Sequence, residues 1–190
     1  MQAARGASLS SSDPDRRRAS RRALGTFLVV ATLAYGADLL TKTLALRNLD
    51  PQDPVPLVGE LLELRLVRNP GAAFSLGTSY TAILTVVAVV AAVVVLVLAR
   101  RLADPLWAFG LGCLLGGVLG NLTDRVFREP RFMHGHVIDF LALPNWPVFN
   151  VADICINVAA GVIILQALRG VTLAGGRTDD APSVADQGPS

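Results

Sequence analysis

The chain has 190 residues, 52% of them hydrophobic and 17% charged, with a formal net charge of +2. Soluble domains carry about 25% charged residues, so this composition points to lipid rather than water as the main solvent. The length allows one domain, and so small a net charge leaves no footprint for nucleic acid.

The first twenty residues are rich in Ser, Arg and Ala and include Arg5, Arg16, Arg17 and Arg18. They bury too little apolar surface to order themselves, so residues 1–20 are expected as a disordered basic tail, ahead of a membrane domain over 21–170. A transmembrane helix needs about 20 mostly apolar residues, and four stretches qualify. The first runs from about Ala23 to Leu46 and carries Asp38 and Lys42 near its end. It follows a basic region but has no small-x-small cleavage site with a soluble domain behind it, so it is read as retained rather than removed.

The outer connection after it holds Pro51, Pro54 and Pro56, then Leu62-Glu63-Leu64-Arg65-Leu66, then Arg68-Asn69-Pro70-Gly71. Alternation of period two is a strand signal, and the segment after it is a turn signal. The sequence leaves two readings open: a small sheet on the membrane surface with its apolar side toward lipid or substrate, and an ordinary exposed hairpin. The second span, Tyr80 to Ala99, is uncharged and dense in valine. A lone strand cannot satisfy its backbone in lipid, so it is a helix all the same.

The third span runs from about Pro105 to Leu122, and the fourth from about Val148 to Leu168. Gly112, Gly116 and Gly120 recur every four residues with Gly117 beside them, which lets helices approach closely in lipid and is expected to draw Asn121 and Asp124 toward the fourth span. The fourth span carries Asn150, Asp153 and Asn157 at i, i+3 and i+7, one stripe of a helix. Residues 171–190 are expected as a disordered tail. The fold class is thus an all-α membrane protein of four helices, with a small extracytoplasmic sheet as one of the two readings of the outer segment. Basic residues at the N-terminus, at Arg100 and Arg101, and at Arg169 and Arg177 put both termini in the cytoplasm by the positive-inside rule.

Carboxylates inside spans cost several kcal/mol and are functional suspects. Asp38 lies about 22 Å up from the inner edge and Asp153 about 8 Å below the outer one, at 1.5 Å per residue, so the two share a level. Asn121, Asp124 and Arg125 end the third span at that level, and Asp139 comes next within Val137-Ile138-Asp139-Phe140-Leu141. One polar layer suits a reaction site near the outer face; a proton-coupled transporter would step its acids across the bilayer, and a non-enzymatic scaffold gives no reason for the layer. Asp38 and Lys42, at i, i+4, are either part of the site or a snorkelling pair that anchors a helix end. Asp153 is either a site acid or a structural one.

Neither a Ser or Cys triad nor a set of metal ligands is evident: His134 and His136 have no third ligand near them, and Cys113 and Cys155 sit in apolar runs. No metal and no cofactor are therefore expected. What remains is carboxylates in an apolar setting. Two that share a site cannot easily both ionise, so one can take a proton from water while the other protonates a carbonyl oxygen.

Five segments in order, Asp38-Leu-Leu-Thr-Lys42, Arg68-Asn-Pro-Gly-Ala-Ala-Phe74, Gly116-Gly-Val-Leu-Gly-Asn-Leu-Thr-Asp-Arg125, Gly135-His-Val-Ile-Asp-Phe140 and Phe149-Asn-Val-Ala-Asp153, resemble the bacterial lipoprotein signal peptidases, or signal peptidases II. The resemblance runs from about Ala23 to Leu168 and implies the small outer sheet rather than the exposed hairpin. It implies an aspartic endopeptidase that cleaves prolipoproteins just before a cysteine bearing a diacylglyceryl group, without a cofactor. It implies a catalytic pair at Asp139 and Asp153, with Asn69, Asn121, Arg125 and Asn150 holding substrate or shaping the site together with Asp38, Lys42 and Asp124. The expected partners are lipid-modified prolipoproteins and membrane lipids, and the expected state is a monomer. Two departures stand out: Leu39 replaces the family's usual glutamine, and Asp124 and Asp139 are 15 residues apart because of an insert over 127–134. Asp124, beside Arg125, is expected to stay ionised and paired, whereas apolar neighbours should raise the pKa of Asp139.

Overall fold

The computed structural model describes residues 14–71 and 79–177. The chain order is α1 (Pro14–Asn48), β1 (Val55–Val58), β2 (Leu62–Asn69), α2 (Ser79–Ala99), α3 (Pro105–Phe127), β3 (Val137–Ala142) and α4 (Val151–Leu168). Four helices among the described residues are long and apolar enough to cross a membrane. Their outward faces expose large apolar side chains such as Leu33, Val87, Val93 and Ile164 over more than half of their surface. Such a surface is stable only against lipid.

α3 is the most buried helix and packs on α1, α4 and α2. Its glycines explain why. A Cβ at Gly112 would stand 2.9 Å from Phe27 O, one at Gly116 2.5 Å from Ala34 Cβ, and one at Gly120 2.3 Å from Asp38 Oδ2. The stripe at 112, 116 and 120 therefore seats α1, not the fourth span. α4 is seated instead by Gly117, whose Cβ would lie 2.6 Å from Ala152 O, and by Gly110, at 2.8 Å from Val162. Successive glycines four apart share one helix face, and Gly117 lies round the corner from it.

The outer strands form one antiparallel sheet in the order β1-β2-β3. Val67 pairs with Asp139 and Glu63 with Ala142, with one extra residue on β2 between Leu64 and Val67. Leu66, Ile138 and Phe140 bury themselves with Ala45 of α1, and Leu64, Leu46 and Leu49 pack round them. The apolar side of the sheet thus rests on the C-terminal end of α1, whereas of the two sequence readings one turned it toward lipid or substrate and the other left an exposed hairpin. α1 continues past the polar layer to Asn48 and offers that surface.

Both tail expectations need correction where the chain is described. Residues 14–20 are helical, since α1 begins at Pro14 with Asp15 in its first turn; Pro at a first helical position and an acid beside it are helix-start signals. Residues 171–177 fold back on the connection between α2 and α3 and on the start of α3: Leu173 O accepts the N–H groups of Ala103 and Asp104, and Val171 O accepts Trp107 Nε1. Leu173 O thereby satisfies the N–H of the cap residue Asp104, which the start of α3 leaves free. The remainder of both tails, and Ala72 to Phe74 of the second motif, lie outside the described residues.

Candidate active site

The site is built where α1, α3, β3 and the start of α4 meet. Asn150 is the N-cap of α4 rather than part of its stripe. Its Oδ1 accepts the N–H of Asp153 at 3.0 Å, and Asp153 Oδ2 accepts the N–H of Asn150 at 3.2 Å, a reciprocal capping box. With Oδ1 so engaged, the Asn150 NH2 faces the other way, donating to Asp139 Oδ1 at 2.6 Å and to Asn121 Oδ1 at 3.2 Å. One cap residue thereby ties together the acid on β3 and the acid on α4.

The other amides are fixed by the same logic. Asn121 Oδ1 also accepts Lys42 Nζ at 2.9 Å, so its NH2 is left for Asp153 Oδ1, at 2.9 Å. Asn69 Oδ1 accepts the N–H of Gly71 at 2.8 Å, which turns its NH2 to Asp139 Oδ2 at 2.8 Å. A carboxylate only accepts and an amide does both, so each orientation is set by its far-side partner. All four carboxylate oxygens of the two acids accept an N–H donor.

Beneath this layer lies a buried charge cluster. Lys42 Nζ stands 2.8 Å from Asp38 Oδ2 and 2.9 Å from Asp124 Oδ2, and all three side chains are buried. Lys42 does not snorkel. It points inward, and Asp38 Oδ1 accepts the N–H of Ala152 at 2.9 Å, fastening α1 to α4. Asp124 is paired as expected, though with Lys42 and Arg128 rather than Arg125, and it also accepts the N–H of Ile138 at 3.2 Å. Adjacent residues on a helix diverge, whereas i, i+4 neighbours such as Asp124 and Arg128 meet; that spacing could have identified Arg128. Arg125 lies in the field of Asp139, Asp124 and Asp153, and its Nη1 is buried with no hydrogen-bond partner among the described residues.

The insert over 127–134 is tied back to α3 and α2. Gly135 N donates to Arg125 O and His136 N to Glu129 O, and Met133 O accepts Thr85 Oγ1 of α2 at 3.0 Å. A Cβ at Gly135 would fall 2.1 Å from Asp124 O, so only glycine fits there.

Asp139 and Asp153 line one cavity of about 470 Å³, walled by Asn69, Trp146, Val148 and apolar residues of α4. Asp139 is buried, and desolvation pushes its pKa from 3.8 up to about 6, against the pull of the Asn69 and Asn150 hydrogen bonds and with help from the nearby charge of Asp153. Asp38, Lys42 and Asp124 do not line that cavity; Lys42 contacts Asn121, Asp38 the N–H of Ala152 and Asp124 the N–H of Ile138. Trp146 and Val148 carried no signal in the sequence, because nothing in a loop composition says which side chains will wall a cavity.

Paired carboxylates from separate elements, in a scaffold of membrane helices, are the equipment of a membrane aspartic peptidase. Comparison with known proteins narrows the class. Residues 30–169 match the family of signal peptidase (SPase) II. The chain is 51% identical over 143 residues to a lipoprotein signal peptidase of Rhodococcus jostii (strain RHA1), covering 75% of this chain and 72% of the relative. It is 45% identical over 179 residues to one from Leifsonia xyli subsp. xyli (strain CTCB07), covering 93% and 83%. Its fold is similar to a solved bacterial membrane enzyme determined by the in meso method at 1.9 Å resolution, with a TM-score of 0.68 at 22% identity, covering 76% of this chain and 94% of that one. The chain belongs to the signal peptidase II family and is a multi-pass bacterial membrane protein.

Proposed function

We propose that Asp139 and Asp153 are the catalytic pair with which this peptidase removes signal peptides from prolipoproteins, cutting before the diacylglyceryl-modified cysteine. The observation that carries the reading is the shared cavity, in which two carboxylates from different elements are tied through a single residue, Asn150, whose side-chain NH2 donates to Asp139 and whose backbone N–H donates to Asp153. The pair carries one proton, held by Asp139, whose burial favours the neutral form. Asp153 takes a proton from the attacking water as Asp139 gives its own to the carbonyl oxygen. The tetrahedral intermediate then collapses, the leaving amine is protonated, and the new carboxyl end departs with the signal peptide.

Both termini are cytoplasmic and the site faces outward, supported by the arginines at the inner helix ends: Arg16, Arg17, Arg18, Arg21 and Arg22, then Arg100, Arg101 and Arg169. The protein works as a monomer, since one chain supplies both acids and each of their hydrogen-bond partners. A transporter reading has no support from the arrangement of charges, because Asp38, Lys42, Asp124, Asp139 and Asp153 form one layer instead of a path across the bilayer. The test is cleavage of a lipid-modified precursor by purified protein. Asp139→Asn and Asp153→Asn should each be inactive yet folded, and normal cleavage by either would refute the assignment.

A further inference from the structure

A second cavity, also of about 470 Å³, adjoins the first and is lined by Glu60, Glu63, Arg65, Asn145, Trp146 and Val148 among others. Trp146 and Val148 wall both cavities, so the two are neighbours across one ridge. Their linings differ in kind. The first is bounded by Ile154, Ile156 and Val158 of a membrane span, whereas the second is made by the β1–β2 turn, β2 and the loop after β3, all outside the spans. A signal peptide is apolar and stays in the bilayer; the mature chain beyond the cut leads to water. Polarity therefore assigns the second cavity to the mature side.

Distance gives the register. The second cavity lies at the Glu63–Ala142 end of the sheet, and Asp139 pairs with Val67 further along the same ladder. Ala142 is three steps along β3 from Asp139, about 10 Å at 3.3 Å per residue, and an extended substrate covers that span in about three residues. Glu60 and Glu63 against Arg65 leave one net negative charge in the lining, and Glu63 and Arg65 already pair at 3.0 Å. The indole of Trp146 is exposed beside them, and a cation is attracted both by a carboxylate and by an aromatic face.

We infer that this cavity is a mature-side subsite that seats the side chain about three residues past the cut, preferring a cationic residue and disfavouring an acidic one. The inference rests on the proposed catalytic pair and adds a specificity that the pair alone does not contain. Its test uses the full-length protein in detergent and lipid-modified precursors carrying Lys or Asp at each of the second to sixth residues after the cleaved bond. For wild type, the ratio of kcat/KM for the Lys over the Asp precursor should peak near the third or fourth position at about five- to tenfold, the scale of partly exposed charge contacts. It should shrink toward one in 1 M salt, where the Debye length is about 3 Å. Glu60→Lys should flatten or invert the ratio, and the milder Glu60→Gln should reduce it. Each enzyme is its own control, because only the ratio is read. A ratio within twofold at every position, or one unchanged by both Glu60 variants, would overturn the subsite while leaving the peptidase reading intact. A ratio that responds to Arg68→Gln instead would overturn it too, by moving the exit to the other flank of Asp139. Failure of wild type to cut any of the precursors would overturn both.

Discussion

Lys42→Met is the perturbation that most sharply separates a site-building lysine from a membrane anchor. The ammonium is buried and contacts three acceptors within 2.9 Å: Asp38, Asp124 and Asn121. Methionine matches the stem and removes only the charge and its donors. Asp124 keeps Arg128 and the N–H of Ile138, but Asp38 is left with the N–H of Ala152 as its remaining donor. Removing one partner of a buried ion pair costs about 3–5 kcal/mol, so the variant should unfold well before wild type in thermal or denaturant titration in detergent. Adding Asp38→Asn should recover part of that loss, since the orphaned charge goes with it. Activity should fall by about 10², the scale expected when a catalytic group shifts by about 1 Å, because Asn121 loses Lys42 Nζ, the closer of the two donors (the other is the Asn150 NH2) that keep its own NH2 turned to Asp153. Wild-type stability together with wild-type cleavage in Lys42→Met would refute the reasoning and return Lys42 to the role of a snorkelling anchor.

The same geometry leads to other outcomes. Gly120→Ala, whose Cβ would meet Asp38 Oδ2 at 2.3 Å, should destabilise the protein by about 1–3 kcal/mol and depress cleavage, whereas Gly161→Ala, with nothing within 4 Å, should do neither. Asn150→Ala removes the α4 cap, worth about 1 kcal/mol, and also the link between the two acids, so kcat should drop far more than stability; equal, modest losses in both would argue that Asn150 is a cap alone. Asp139 must be protonated to act as the acid, so kcat/KM should decline as pH rises through about 6. Asn69→Ala, which removes a bond favouring the ionised form, should move that limb upward, and an unmoved limb would assign it to another group. Stability has the matching sign. The folded pKa of Asp139 lies above the unfolded value of 3.8, so the folded state holds the extra proton, and stability should fall by about 3 kcal/mol as pH rises from about 4 to 6.

The four spans were legible because lipid imposes a length and a composition that soluble folds do not, and the polar layer was legible because helical rise converts sequence position into depth. The strand at 62–66 was visible in its alternation, and it extends over Leu62–Asn69. β3 was not visible as a strand: Val137 to Ala142 reads as an apolar run around one acid, and its partners lie 70 or so residues away on β2. The direction of the glycine stripe was also out of reach, because small residues declare a close approach without naming which helix approaches. Lys42 left two readings open for a similar reason. An i, i+4 acid–lysine pair looks the same whether the ammonium reaches for the headgroups or turns inward, and only the further partners, Asn121 and Asp124 on another helix, decide it. The ordering of residues 171–177 depends on acceptors for the start of α3, which no local composition reveals.

The most direct measurement is a kinetic cycle on the two acids with a lipid-modified precursor. Asp139→Asn, Asp153→Asn and the double variant are compared with wild type, and each is checked for folding by its unfolding midpoint. Groups that act as one unit are grossly non-additive, so each single variant should fall to background and the double variant should be no worse. A single variant that still cuts at the wild-type rate, or two partial losses that multiply in the double variant, would contradict a shared catalytic pair.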